Sequence, residues 1–289
     1  MNITSSSVAI ITGASSGIGK SLALQLSAKG VSVVLVARRT ELLNELVDQI
    51  RSNNGTALAI TADVSVKSDA EMVVKKTLET FKTVDILINN AGRGNRASVE
   101  DTTQEMLDSI FGVNVYSLWY MTAAVLPTMK ANRRGHIMNV ASVAGKTGYP
   151  FNSAYVAAKH ACVGFTSSLR TELVETGVEA TVVCPAGVTT DWGAVTDGGP
   201  ISDIFRGGIM KAKTIAQERG VELPPLTGMI SPDEAAEIMI RGIEAGNVSD
   251  IFTHQGSHEQ SVQLATDRAS FEQKLLPLYL GMQQTYWGE

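Results

Sequence analysis

Short apolar runs rich in β-branched residues alternate with longer segments whose apolar positions recur every three or four residues. The runs are SVAIITGA, VSVVLVAR, TALAITADV, VDILINNAG, GHIMNVAS, EATVVCPAG and SDIFTHQG. Several are apolar at consecutive positions rather than at every second one, the pattern of strands buried on both faces. Helical patterns lie between them at 17–29, 40–53, 67–81, 102–132, 153–176 and 232–245. This alternation predicts an α/β fold, a doubly wound seven-stranded parallel sheet with helices on both faces, in a single domain spanning 1–289. No repeat, low-complexity tract or linker divides the chain. Two segments stand outside the alternation: residues 189–227, and a tail from 257 that ends LLPLYLGMQQTYWGE.

Composition changes this picture little. The chain has 289 residues, 44% of them hydrophobic and 18% charged, with a net charge of −5, as expected of a globular protein with a substantial core. Lys and Arg are scattered, which gives no nucleic-acid footprint. The opening MNITSSSVAIITG has no basic leader, and its apolar run is too short for a signal peptide or a membrane span, so a cytoplasmic protein is expected. Cys162 and Cys184 form no C-x-x-C pair and read as reduced, buried thiols. The four histidines, His136, His160, His254 and His258, have no metal-ligand spacing, and no metal is assigned.

Ligands of an open parallel sheet bind beyond the carboxyl ends of its strands, and the candidate chemistry clusters there. The first strand runs into TGASSGIG, whose Gly13, Gly17 and Gly19 permit a tight turn and close approach of a pyrophosphate to backbone N–H groups. Ser15 and Ser16 add hydroxyls, and Ile18 opens the following helix. The second strand ends at Arg38 and Arg39 with no carboxylate, which suits a 2′-phosphate better than a free ribose and favours NADP(H), with Arg38, nearer the strand end, as the preferred contact. Asp63, beside Val64, either accepts from an adenine amino group or caps the next helix. In SAYVAAKHA, Tyr155 and Lys159 are one helical turn apart, and an ammonium beside a phenol lowers the phenol's pKa. That spacing alone is weak.

The full set, in order, is TGASSGIG, Asp63-Val64, NNAG with Asn90, Ala91 and Gly92, Asn114, Ser142, Tyr155/Lys159 and a proline-led turn after the sixth strand. It strongly resembles the short-chain dehydrogenase/reductase family from about Val8 to Phe252. The resemblance implies a Rossmann-type sheet of order 3-2-1-4-5-6-7 and a hydride exchanged between a nicotinamide and a carbonyl or alcohol. It makes Tyr155 the general acid/base and gives Lys159 the tuning of that tyrosine and the nicotinamide ribose. Ser142 holds the substrate oxygen, and Asn114 a water that leads to Lys159. Pro185, Gly187, Val188 and Thr190 fall where the family meets the nicotinamide, although Ala186 stands where the family usually has glycine. Residues 189–227 occupy the place of the family's substrate lid, read as a mobile cover with Gly hinges at 198–199 and 207–208 and a short helix of its own. Its apolar residues either meet a lipophilic substrate or pack on the core or a second subunit. Val143, Tyr149, Trp192 and Phe205 are candidate substrate contacts, with Lys146 and Arg93 on the other walls. The family commonly forms homotetramers or homodimers through the helices holding Asn114 and Tyr155. Non-redox relatives and a dinucleotide-binding sensor share the fold. The intact Asn/Ser/Tyr/Lys set and glycine turn favour the reductase.

Overall fold

The computed structural model describes residues 1–224, 228–246 and 249–288. Residues 225–227 of the expected lid and Glu289 of the tail lie outside the described residues. Seven strands pair in parallel: β1 (Val8–Thr12), β2 (Ser32–Ala37), β3 (Ala57–Thr61), β4 (Ile86–Asn89), β5 (Gly135–Val140), β6 (Val178–Cys184) and β7 (Asp250–Phe252). Their order is β3-β2-β1-β4-β5-β6-β7, as the resemblance implies.

Alternate residues of each strand feed two cores. Ala9, Ile11, Val33, Leu35, Ile86 and Ile88 face α1 (Gly17–Ala28), α2 (Thr40–Ser52) and α8 (Pro232–Ala245). Val8, Ile10, Val34, Val36 and Leu87 face α3 (Lys67–Phe81), α5 (Ser117–Ala131) and α6 (Ser153–Glu172). Both faces being covered explains the near-continuous apolar runs. Leu22, Leu26 and Leu35 are fully buried, each stabilising the fold by about 1.5–3 kcal/mol. The strand order reverses between β1 and β4, and in folds of this kind ligands bind at the carboxyl ends of the strands on either side of such a reversal.

The pattern at 102–132 is not one uniform helix. It divides into α4 (Gln104–Phe111), a π-helical turn (Gly112–Tyr116) and α5. The run Gln104–Ala131 has an 18-residue window apolar enough to cross a bilayer, and half of that window is buried in the fold. Helix α6 ends four residues before the expected 176, where Glu175 and Gly177 take positive φ and turn the chain into β6.

Within the segments outside the alternation, the described residues form helices that pack on one another. Helix α7 (Ile201–Arg219) has 19 residues, longer than the short helix expected, and packs on α10 (Arg268–Trp287), which follows α9 (Ser257–Thr266). Ile201, Ile204 and Ala212 of α7 are buried against Leu275, Leu278 and Met282 of α10. Gly207 and Gly208, expected as a hinge, lie inside α7 at this contact: a Cβ on Gly208 would come 2.5 Å from Met282 Cγ, and one on Gly281 2.5 Å from the Gly208 carbonyl. These glycines allow two helix backbones to touch. Most of the apolar side of α7 therefore faces α10, and Met210 is exposed.

Candidate active site

Helix α6 carries Tyr155 and Lys159 on one face beneath the end of β5. Lys159 is buried and donates from Nζ to the Val140 carbonyl at 2.8 Å, with its ammonium 5.5 Å from the centre of the Tyr155 ring. Tyr155 is almost wholly buried. Burial pushes its phenol above the usual tyrosine range, and the nearby Ser142 hydroxyl draws it partly back. The expected lowering by Lys159 does not govern this geometry, because desolvation also pushes the lysine down and its ammonium is engaged by Val140. Asn95 holds the start of α6 in place: its Oδ1 accepts from the Tyr155 backbone N–H at 3.0 Å. This satisfies one of the helix's free first-turn donors.

Ser142 follows β5 and begins the short turn Val143–Gly145. Its Oγ accepts from Ala144 N at 3.1 Å and donates to the Pro185 carbonyl at 3.4 Å. Asn114 sits in the π-helical turn, where its Nδ2 donates to Ile110 O and Arg93 O, each at 2.9 Å. Its buried Oδ1 has no protein partner. Gly92 separates this oxygen from Lys159, since a Cβ there would lie 2.7 Å from Asn114 Oδ1 and 3.5 Å from Lys159 Nζ.

The glycine turn after β1 is tied to NNAG by Thr12, whose Oγ1 accepts from the N–H groups of Asn90 and Ala91, both at 3.0 Å. Asn90 Nδ2 donates back to Thr12 O at 2.9 Å. Gly13 (φ +65°) and Gly17 (φ +54°) take conformations that favour glycine, and a Cβ on Gly13 would lie 2.9 Å from Ala91 Cα. A Cβ on Gly17 would lie 3.0 Å from Thr190 Cγ2, so the Val188–Thr190 stretch passes over the turn. Ile18 follows in the first turn of α1. Arg39 lies on this turn, donating to Ser15 Oγ at 2.8 Å and Ser16 Oγ at 2.7 Å. Arg38 instead pairs with Asp63 at 3.6 Å. Burial raises the Asp63 pKa, but hydrogen bonds from Ser65 and the charge of Arg38 outweigh it and hold the carboxyl below its usual value. Asp63 thus fixes the turn before α3, with Val64 buried beside it.

Trp192 caps this arrangement, edge-on to Tyr155 with ring centres 5.2 Å apart. Arg93 forms an ion pair with Asp197 and donates to Ser109 Oγ at 2.7 Å, joining the β4 end to the segment after β6. Tyr149 meets Phe205 of α7 with ring centres 5.0 Å apart. Val143 is half-buried in the turn that Ser142 begins. Lys146 points away to Asp250 at 2.8 Å, so it leaves the wall assigned to it from the sequence. After β6, Pro185 O also accepts from Val143 N, Gly187 pairs with Ile230, and His254 reaches the same turn. Thr12, Asn95 and His254 were absent from the sequence-derived set. Thr12 opens the recognisable TGASSGIG motif, whereas no local pattern marks Asn95.

A doubly wound sheet carrying this set at its switch point defines a dinucleotide-dependent oxidoreductase. Residues 7–197 match the family model described as short chain dehydrogenase, and the chain belongs to that family. It is 38% identical over 192 residues, 66% of this chain and 82% of the relative, to an uncharacterized oxidoreductase of Staphylococcus epidermidis. It is 35% identical over 192 residues, 66% of this chain and 78% of the relative, to a 3-oxoacyl-[acyl-carrier-protein] reductase of Synechocystis. A short chain dehydrogenase/reductase from Burkholderia phymatum, solved with NAD, superposes with a TM-score of 0.78 at 25% identity over 93% of this chain and 96% of that one. Other solved proteins of similar fold carry NADP or NADH.

Proposed function

We propose that the protein is an NADPH-dependent carbonyl reductase that interconverts a ketone and a secondary alcohol. One observation carries this reading: the Tyr155 phenol is buried, with the Lys159 ammonium 5.5 Å from its ring centre and bonded to the last carbonyl of β5. The residues present fit a dinucleotide. Gly13 and Gly17 leave a cradle that a Cβ would fill, the start of α1 offers N–H donors, and Asn114 Oδ1 is an unpaired acceptor facing Lys159 across Gly92. When bound, the nicotinamide supplies the hydride that reaches the carbonyl carbon.

The protein's own groups manage the oxygen and its proton. Ser142 donates to the substrate oxygen as negative charge develops on it. Tyr155, kept protonated by burial, gives its proton to that oxygen, and in the reverse direction it takes the alcohol's proton. Lys159 places a positive charge beside the phenolate so formed, and Asn114 Oδ1 anchors a water through which the proton is replaced. Ser15, Ser16 and Ile18 line the pyrophosphate turn, Asp63 and Val64 the adenine side, and Asn90, Ala91 and Gly92 the floor. Pro185, Gly187, Val188 and Thr190 border the nicotinamide.

Arg39 is the better placed of the two arginines for a 2′-phosphate, because it already lies on the Ser15–Ser16 hydroxyls while Arg38 is held by Asp63. The relatives' cofactors are divided, and the absence of a carboxylate at the end of β2 supports NADPH. Trp192, Tyr149, Phe205 and Val143 give the substrate side an aromatic, apolar wall, which fits a lipophilic ketone. The exposed rings of Tyr116 and Trp119 on the α5 side, with Phe165 of α6 against Trp119 at 4.3 Å, form the face through which the protein assembles as a homodimer or homotetramer. The enzyme works in the cytoplasm, away from membranes and nucleic acid. NADPH oxidation followed at 340 nm against bulky apolar and small polar ketones and aldehydes tests the proposal. Turnover lost in Tyr155→Phe supports it, and equal turnover in that variant refutes it.

A further inference from the structure

His254, two residues beyond β7, is almost wholly buried, and both of its ring nitrogens are engaged by the turn that follows β6. Nε2 lies 2.9 Å from the Gly187 carbonyl. Nδ1 accepts the Ala186 backbone N–H at 3.3 Å and lies 2.8 Å from Thr253 Oγ1. A carbonyl only accepts and a backbone N–H only donates, so these partners fix the tautomer: Nε2 carries the proton, Nδ1 is bare and the ring is neutral. No metal spacing or catalytic contact accounts for this histidine.

What the ring holds is a junction. The Gly187 carbonyl also accepts from Ile230 N at 3.0 Å, and Thr189 N donates to Ile230 O at 2.9 Å, so the strand-like pairing that carries Val188 begins where His254 binds. On the other side, Pro185 O receives Ser142 Oγ and Val143 N. The imidazole thus cross-links the end of β7 to a turn whose opposite edge touches Ser142 and whose continuation, through Thr190, passes over Gly17.

We propose that His254, as the neutral Nε2–H tautomer, is a positioning residue that fixes the Pro185–Val188 turn for the nicotinamide end of the dinucleotide. This rests on the reading above that the turn borders the nicotinamide. The imidazole acts through backbone atoms and touches neither reacting group.

The test compares two ligands that differ only at that end. NADP⁺ and 2′-phospho-ADP-ribose share the adenosine, the 2′-phosphate and the pyrophosphate, and only NADP⁺ carries nicotinamide. Their binding to the full-length protein is measured by calorimetry for wild type, His254→Ala, His254→Asn and His254→Gln, with a melting curve for each. In His254→Ala, NADP⁺ binding weakens about tenfold while 2′-phospho-ADP-ribose changes less than about twofold. His254→Gln, which returns a donor near the Nε2 position, regains most of the loss. His254→Asn, which returns only an acceptor near Nδ1, regains less. Should the alanine variant not fold, the Gln and Asn variants carry the same comparison. Equal weakening of both ligands, or no weakening of either, overturns this inference and leaves the dinucleotide reading standing. Failure of the wild type to bind either ligand overturns both.

Discussion

Trp192 stands edge-on against Tyr155 with ring centres 5.2 Å apart, so an aromatic ring from the segment after β6 lies against the proposed proton donor. Gly94 makes this possible, since a Cβ there would lie 2.7 Å from Trp192 Cζ2. Trp192→Ala should raise KM for bulky apolar ketones about tenfold and change kcat less, because it removes contact area and leaves the proton donor in place. Steady-state kinetics on a ketone series reads this. An unchanged KM across the series would show that the ring serves packing only.

The two arginines at the end of β2 separate by partner. Arg39→Ala removes a charged donor from the Ser15–Ser16 turn and should raise KM for NADPH about 10- to 100-fold with little effect on NADH. Arg38→Ala should alter the ratio of the two cofactors less, since Arg38 is paired with Asp63 and more than half exposed. The opposite ranking, read from paired kinetics with both cofactors, would restore Arg38 as the phosphate contact.

The α7–α10 contact is a stability element. Gly281→Ala places a Cβ against the Gly208 backbone, where no side chain can yield, and should destabilise the fold by about 1–3 kcal/mol, a loss of roughly 2–10 °C in Tm. Gly164→Ala, inside α6 with open space around the same atom, is the control and should keep or raise Tm, since alanine favours a helix interior over glycine. Equal melting of the two variants would mean that α10 does not bear on the folded core.

Glu179 gives the fold an acid-side dependence. Its hydrogen bond with His136 holds the carboxyl below its usual value of 4.5, against the upward push of burial. A depressed carboxylate contributes stability that is present above 4.5 and lost as pH falls through the folded-state value. Glu179→Gln should therefore lower Tm at pH 7 by about 2 °C or less, the side chain being partly exposed, and the gap should close below pH 4.5. A gap that stays constant through acid pH contradicts the pairing.

The sheet was legible because its strands are buried on both faces, so that VVLV and ILIN stand out from every helical stretch. The glycine turn and Tyr155/Lys159 were legible for a different reason, since close approach and one-turn spacing each leave a local pattern. What escaped was set by distant contacts. Gly207-Gly208 reads as a hinge until α10, some seventy residues on, is seen packed against it. The level of the Tyr155 phenol depends on its burial in the folded chain, which no spacing within α6 conveys. Asn95 and His254 act by bonding backbone atoms far away in sequence, and a single polar residue in a loop carries no mark of that.

The central claim is transfer of a hydride to a carbonyl carbon with Tyr155 supplying the proton. Its most direct test is mass spectrometry of the alcohol formed from an apolar ketone and NADPH stereospecifically deuterated at the transferring C4 position. Wild type should place one deuterium on the carbinol carbon. Tyr155→Phe, with its fold and NADPH binding intact, should yield product at a rate lower by about 10²–10⁴. Deuterium transfer at an undiminished rate in Tyr155→Phe would contradict the account.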